Sequence, residues 1–243
     1  MHFLLPPFLL SCLWPAGTHA APHFRRSEEG GNTQKVISIY REMMKSNVDL
    51  KYGMWPSEAK LIFDTASTKE VEVILESGTA NGISTQIISR SLPEIPVYTF
   101  DQDAYNLHSS TEARLHKCCP NVKTHVVKDA IPEIQSILLD SPNTRFGIVI
   151  DGPKGQMALK EAVRFLKGNT NVAFVAVHDT APSWKTFGDG DFDISGVTVV
   201  HSWTPEFRWK YGFVDATIAV KSKIVLEHYR KTGPGLTILT RSY

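Results

Sequence analysis

The sequence predicts an α/β fold built as a doubly wound, mostly parallel sheet, and three observations predict it. Short apolar runs rich in β-branched residues recur at residues 71–75, 96–100, 122–127, 146–150 and 172–177. Stretches of helical period separate them, and polar residues stand at the C-terminal end of each run. Strands that alternate with helices form parallel sheets, and strands covered on both faces read as unbroken apolar runs. Ligands of such sheets bind beyond the C-terminal ends of the strands.

The stretch from Val71 to Arg90 is the part around which the rest is organised. Val71 to Leu75 reads as a buried strand ended by Glu76, and Gly78-Thr79-Ala80-Asn81-Gly82 is a small-residue turn. Ser84 to Ser91 then carries Ile87 and Ile88 at helical spacing. Strand, glycine turn and helix form the opening unit of a nucleotide-binding fold, because glycines let the backbone approach a ligand and the helix N-terminus offers free N–H groups. The spacing is GxxxG rather than GxGxxG, so a plain β–α turn stands as the alternative.

Ahead of this unit, Thr33 to Lys45 and a second segment opened by Pro56-Ser57 have amphipathic helical spacing. After it, Pro96 to Phe100 is a strand ending at Asp101, about 20 residues beyond the glycine turn, where a nucleotide-binding unit places an acid on the ribose hydroxyls. A helix over Ser109–Lys117, a strand over Val122–Val127, Asp129-Ala130 and a helix near Ile131–Leu139 follow. Phe146 to Ile150 ends at Asp151-Gly152-Pro153-Lys154-Gly155, a helix covers Ala158–Leu166, and Val172 to Val177 ends at His178-Asp179-Thr180. Val197 to His201 and Ala216 to Lys221 read as two further strands with no helix between them, an antiparallel edge hairpin that completes a seven-stranded sheet. The tail from Ile224 to Tyr243 shows no assignable pattern.

Composition limits the function classes. The chain has 243 residues, 42% hydrophobic and 21% charged, enough for one domain with a substantial core. A net charge of +1 without a long basic run gives no sign of a nucleic-acid footprint or an anionic-membrane surface, and neither partner is expected. His2 to Trp14 is largely apolar and Thr18-His19-Ala20 resembles a cleavage site, so residues 1–20 read as a signal peptide, which predicts the secretory pathway or secretion. The apolar stretch is too short and proline-rich for a stable membrane span. Residues 21–32 read as a flexible leader and 33–243 as a single domain. Cys118 and Cys119 are adjacent, a spacing that forms neither a disulfide framework nor a zinc site. Ordinary packing at a helix end is expected of them, with an intermolecular disulfide as the alternative.

These residues together resemble the class I S-adenosylmethionine-dependent methyltransferases, and within them the catechol O-methyltransferase-like, metal-dependent group, whose sheet is Rossmann-like. The resemblance covers roughly Tyr52 to Lys221. Glu76-Ser77-Gly78-Thr79-Ala80-Asn81-Gly82 stands where that group has its E-x-G-x-x-x-G cofactor loop. The resemblance implies cofactor contacts at Glu76, Gly78, Ser84, Asp101, Asp129 and Ala130. Asp151-Gly152-Pro153-Lys154 resembles the D-x-x-K of the catechol enzymes, which implies Asp151 as a metal ligand and Lys154 as general base. His178-Asp179-Thr180 lies where the group has an acidic pair, so Asp179 would be the second carboxylate ligand. Either His178 replaces an acid or Thr180 replaces an asparagine; a ligating His178 would suit manganese, iron or zinc better than magnesium.

The implied reaction is an O-methylation: a divalent ion, magnesium or manganese, lowers the pKa of an acceptor hydroxyl, and Lys154, with a depressed pKa, takes the proton. The partners expected are a small-molecule acceptor and, as an open alternative, a second copy of the chain. Two other functions stay open: the same fold turned to a cyclisation or elimination, and a secreted binding protein without chemistry.

Overall fold

The computed structural model describes residues 26–46, 50, 53–102, 109–180, 193–219 and 235–242. The proposed signal peptide, the segment 181–192 with Trp184 and Phe192, and residues 220–234 lie outside the described residues. In chain order the elements are α1 Arg26–Lys45, α2 Pro56–Thr68, β1 Val73–Ser77, α3 Ile83–Ser91, β2 Val97–Asp101, α4 Ser109–Cys118 and β3 Val122–Val126. They continue as α5 Ala130–Asp140, β4 Phe146–Ile150, α6 Gly155–Gly168, β5 Val172–Val177, β6 Val197–His201, α7 Pro205–Ala219 and β7 Thr237–Arg241.

The seven strands form one sheet in the order β3-β2-β1-β4-β5-β7-β6. Pairings β1–β2, β1–β4, β2–β3 and β4–β5 are parallel, while β7 runs antiparallel to both β5 and β6. The chain winds outward from β1 to β3, then returns to the other side of β1 with β4. That reversal puts the switch-point crevice at the C-terminal ends of β1 and β4, where ligands of open sheets sit.

Alternate side chains of the central strands β1, β5 and β7 enter opposite cores. Ile74, Phe174, Ala176 and Ile238 pack with Val36, Ile62, Ile87, Leu115 and Val214, so α1, α2, α3, α4 and α7 cover one face. Leu75, Val175, Val177 and Leu239 pack with Ile134, Leu138, Leu159 and Phe165 of α5 and α6 on the other. Each fully buried Leu, Ile, Val or Phe contributes roughly 1.5–3 kcal/mol, so these apolar positions anchor the sheet between its two helical layers. Gly147 of β4 makes room for a neighbour: a Cβ there would lie 2.5 Å from the Phe174 ring.

Four local expectations change. First, β1 begins and ends later than expected, and Glu76 lies inside it, paired in register with Thr99 and Val149. An acid need not end a strand when its side chain finds a partner, and a Thr85 hydroxyl provides one. Second, residues 216–219 belong to α7 rather than to a strand. Phe207, Tyr211, Val214 and Ile218 are buried at helical spacing, and this period overrides the β-branched composition. The antiparallel partner of β6 is therefore β7, drawn from the tail that showed no pattern.

Third, α1 starts at Arg26, so helix runs through most of the expected leader. Fourth, Cys118 and Cys119 are bonded to each other as a disulfide of adjacent residues rather than packed as free thiols. Among the described residues no helix is long and apolar enough to cross a membrane.

Candidate active site

The C-terminal end of β1 turns sharply into α3. Gly78 has φ +97 and Gly82, the N-cap of α3, φ +68, conformations that side chains other than glycine rarely adopt. The turn also presses against the end of β4: a Cβ on Gly78 would meet the backbone of Asp151 and Gly152 at 3.0 Å. Backbone bonds from Asp151 and Gly152 to the Ser77 carbonyl, 2.8 and 3.1 Å, seal that junction. The Gly152–Pro153 peptide is cis.

Around this turn stand the residues expected to hold a nucleoside. Asp101 closes β2, and its Oδ2 accepts the Ala80 N–H at 2.6 Å, which ties the glycine turn to the neighbouring strand. The Thr79 and Thr99 hydroxyls are 2.6 Å apart. Glu76 is fully buried; its Oε2 accepts the Thr85 hydroxyl at 2.5 Å, while Oε1 is buried without a hydrogen-bond partner among the described residues. Burial pushes the Glu76 carboxyl up to about 7; the Thr85 and Thr99 hydroxyls pull against that rise and the Asp151 charge adds to it. A buried carboxylate oxygen with no donor costs free energy unless a ligand supplies one.

The other expected contacts are mixed. Ser84 lies at the start of α3, where its Oγ accepts the Met54 N–H at 3.3 Å. Asp129 is exposed and caps α5, accepting the Ile131 N–H at 3.0 Å, and Ala130 is buried beside it. Their loop does reach the crevice, since the Val127 N–H donates to the Asp101 carbonyl at 2.9 Å.

A second cluster joins the ends of β4 and β5. One ligand atom from each of Asp151, His178 and Asp179 falls within 4.8 Å of the others. His178 Nδ1 is 3.1 Å from Asp151 Oδ1 and 3.3 Å from Asp179 Oδ1. Asp179 has φ 55, a left-handed conformation uncommon for a non-glycine residue and frequent at functional sites. Thr180 turns away: its Oγ1 accepts the Thr237 hydroxyl at 2.9 Å and its N–H donates to the Gly235 carbonyl at 2.7 Å. Of the two residues that flank Asp179, His178 lies in the cluster and Thr180 does not.

The Lys154 ammonium bridges the same carboxylates, bonding Asp151 Oδ1 and, at 2.6 Å, Asp179 Oδ2. Its expected depressed pKa is corrected here. Burial lowers it, but the charges and hydrogen bonds of Asp151 and Asp179 outweigh that and raise it above the ordinary lysine value. Burial likewise works to raise Asp151, yet the His178 hydrogen bond and charge, with Lys154, hold it below the usual carboxylate range. His178 loses to burial and gains more from Asp151 and Glu58, so it titrates well above an ordinary histidine.

Sequence reasoning missed Glu58. It sits in the first turn of α2, completely buried. Its Oε2 accepts the Trp55 N–H at 2.7 Å and lies 3.5 Å from His178 Nε2, while Oε1 accepts the Gly235 N–H at 2.6 Å. The available signal was an acid on the third residue of a proline-led helix, the position where a glutamate reaches back to a free N–H.

Comparison with known proteins agrees with the fold. No family model matches the chain, and no curated protein matches it. Among solved structures, it is similar to the O-methyltransferase TomG from Streptomyces achromogenes, in complex with SAM, at 18% identity and a TM-score of 0.51, over 87% of this chain and 90% of that one. A putative O-methyltransferase from Klebsiella pneumoniae aligns at 15% identity and a TM-score of 0.48, over 87% and 90%. A putative caffeoyl-CoA O-methyltransferase from Staphylococcus aureus aligns at 18% and 0.43, over 85% and 92%. With the strand order and the reversed β7, the chain has the fold of the class I S-adenosylmethionine-dependent methyltransferases.

Proposed function

We propose that this chain is an S-adenosylmethionine-dependent methyltransferase that methylates an oxygen of a small hydroxylated molecule with the help of a divalent ion. One observation carries the reading: the nucleoside-type residues at the ends of β1 and β2 and the Asp151–Lys154–His178–Asp179 cluster at the ends of β4 and β5 share one rim, joined where Gly78 meets Asp151.

In this reading Asp101 accepts hydrogen bonds from the ribose and Glu76 Oε1 receives a donor that the described residues do not supply. Gly78 keeps the wall of the crevice clear. Two carboxylates and an imidazole nitrogen form a donor set that fits a divalent ion, with manganese, iron or zinc favoured over magnesium by the nitrogen. Such an ion supplies Lewis acidity that lowers the pKa of an acceptor hydroxyl.

The chain's own part is positioning and proton handling. Methyl transfer is an in-line displacement: the new C–O bond forms as the C–S bond breaks, and the sulfur keeps the electron pair as a neutral thioether. The hydroxyl proton would pass to the Lys154 amine after that group has left Asp151 and Asp179 and given its own proton to solvent. Calorimetry of the full chain with S-adenosylmethionine and S-adenosylhomocysteine, with and without manganese, tests the reading. Heat with neither nucleoside would end it.

The paired state of Lys154 favours a second reading, a nucleoside-binding protein without transfer, in which Lys154 only neutralises the rim. Lys154→Ala separates the two. An enzyme loses turnover by about 10²–10⁴ while keeping its nucleoside affinity, whereas a binder changes little.

A further inference from the structure

We infer that Glu58 is a positioning residue that holds the His178 ring with Nε2 turned into the protein, so that Nδ1 is the nitrogen presented to a metal ion between Asp151 and Asp179. The inference rests on the metal reading above and adds a residue to it. His178 directly follows β5, and its two nitrogens face different carboxylates. Nδ1 lies 3.1 Å from Asp151 and 3.3 Å from Asp179, on the rim; Nε2 lies 3.5 Å from Glu58 Oε2, on the buried side.

Glu58 cannot swing to follow the ring. Its two oxygens are held by the Trp55 N–H at 2.7 Å and the Gly235 N–H at 2.6 Å, with the Ser202 hydroxyl 3.4 Å from Oε1. It thereby joins α2, the end of β5, the segment after β6 and the entry to β7 at one buried point. A carboxylate that accepts the outer N–H of a ligating histidine selects its tautomer and aims its other nitrogen, and loss of such a partner typically costs about 10–100-fold in metal affinity. Asp151 and Asp179 sit on the far side of the ring and cannot set its outward face in this way. A glutamate at residue 58, far from the rim in sequence, therefore decides which atom of His178 is a ligand.

The test uses the full chain labelled with nitrogen-15 at histidine. Long-range proton–nitrogen spectra of the zinc-loaded protein report the tautomer of each ring, and the signals lost in His178→Ala identify residue 178. The expected result is a proton on Nε2 and a metal-shifted Nδ1; a proton on Nδ1 overturns the inference. Zinc and manganese titrations of Glu58→Gln should show a loss of about 10–100-fold. In the His178→Ala background the same substitution should cost nothing further, and an equal loss in both backgrounds would mark Glu58 as merely structural and overturn the inference. If Glu58→Gln does not fold, the wild-type spectrum decides alone. Absence of zinc uptake by the wild type overturns the metal assignment and this inference together. Calorimetric binding of S-adenosylmethionine without metal decides the methyltransferase reading separately.

Discussion

Glu76 offers the sharpest quantitative test. Its carboxyl is fully buried, and burial carries its pKa from 4.5 to about 7. At 1.36 kcal/mol for each tenfold, the ionised form is about 3 kcal/mol less favourable in the folded chain than in the unfolded one. The sign follows from proton counting: between pH 4.5 and 7 the folded state holds a proton that the unfolded state has lost, so this residue makes stability fall as pH rises. Below that window its contribution is absent, and above it the loss is complete. Glu76→Gln removes the ionisation and keeps an acceptor for Thr85. Denaturant unfolding of both proteins from pH 4 to 8.5 should show them similar at pH 4 and the variant about 3 kcal/mol ahead at pH 8. A difference that does not change with pH, or one that favours the wild type as pH rises, would refute the reasoning. Binding supplies a second arm. A nucleoside hydroxyl donating to the orphan Oε1 favours the anion, so S-adenosylmethionine binding near pH 6.5 should release protons from the wild type and fewer from the variant. Calorimetry in buffers of different ionisation heat reads this directly.

Other substitutions probe separate links. Gly78→Ala forces a Cβ into a left-handed backbone at φ +97 and against the Asp151–Gly152 backbone at 3.0 Å, and should cost roughly 1–3 kcal/mol together with most nucleoside affinity. Unchanged affinity in calorimetry would show that the turn does not line the crevice. The Arg241 guanidinium donates to the carbonyls of Leu166, Asn169, Thr170 and Val172, fastening β7 to the C-terminal end of α6. Arg241→Ala leaves those groups to water and should cost roughly 2–3 kcal/mol, a fall of roughly 5–10 °C in Tm, by calorimetric melting. Phe174→Ala empties the space beside Gly147 and should cost about 3–5 kcal/mol, read from denaturant midpoints.

Burial on both faces explains which elements the sequence made legible. β4 and β5 run through the middle of the sheet, and their apolar runs have no solvent side to interrupt them, so their bounds could be read directly. β7 is no less buried along Thr237–Leu239, but polar Thr237, Thr240 and Arg241 flank its short apolar pair, and it takes its partners from β5, some 60 residues back, and from β6. Local pattern carries little of such a non-local pairing. The residues 216–219 misled for the opposite reason, since their composition favours a strand while their place in the Phe207–Tyr211–Val214–Ile218 period makes a helix. In the site, the positions of Asp151, His178 and Asp179 were legible as polar breaks just after a strand, while Lys154 and the roles expected of all four came only from the family resemblance. Glu58 was not, because its meaning comes from Trp55, His178, Ser202 and Gly235 converging on it, and no spacing within a helix encodes that.

Charge balance along the rim ties these residues into one mechanism. Glu76, Asp101, Asp151 and Asp179 gather acidity at neighbouring strand ends, and in the folded chain Lys154 and His178 answer it. That arrangement is stable but unreactive: an ammonium bonded to two carboxylates cannot accept a proton. Any reaction that uses Lys154 as a base therefore needs another positive charge to take its place between Asp151 and Asp179. In the proposed metal-assisted reading the three-donor cluster would receive such a charge, and the same displacement would free Lys154 towards the acceptor. Metal uptake should consequently expel protons and strengthen with rising pH, because both cationic side chains hold their protons above their ordinary values. Lys154→Ala removes one competitor, so it should bind manganese more tightly even as turnover is lost. Weaker manganese binding by that variant would mean that Lys154 supports the site rather than guarding it.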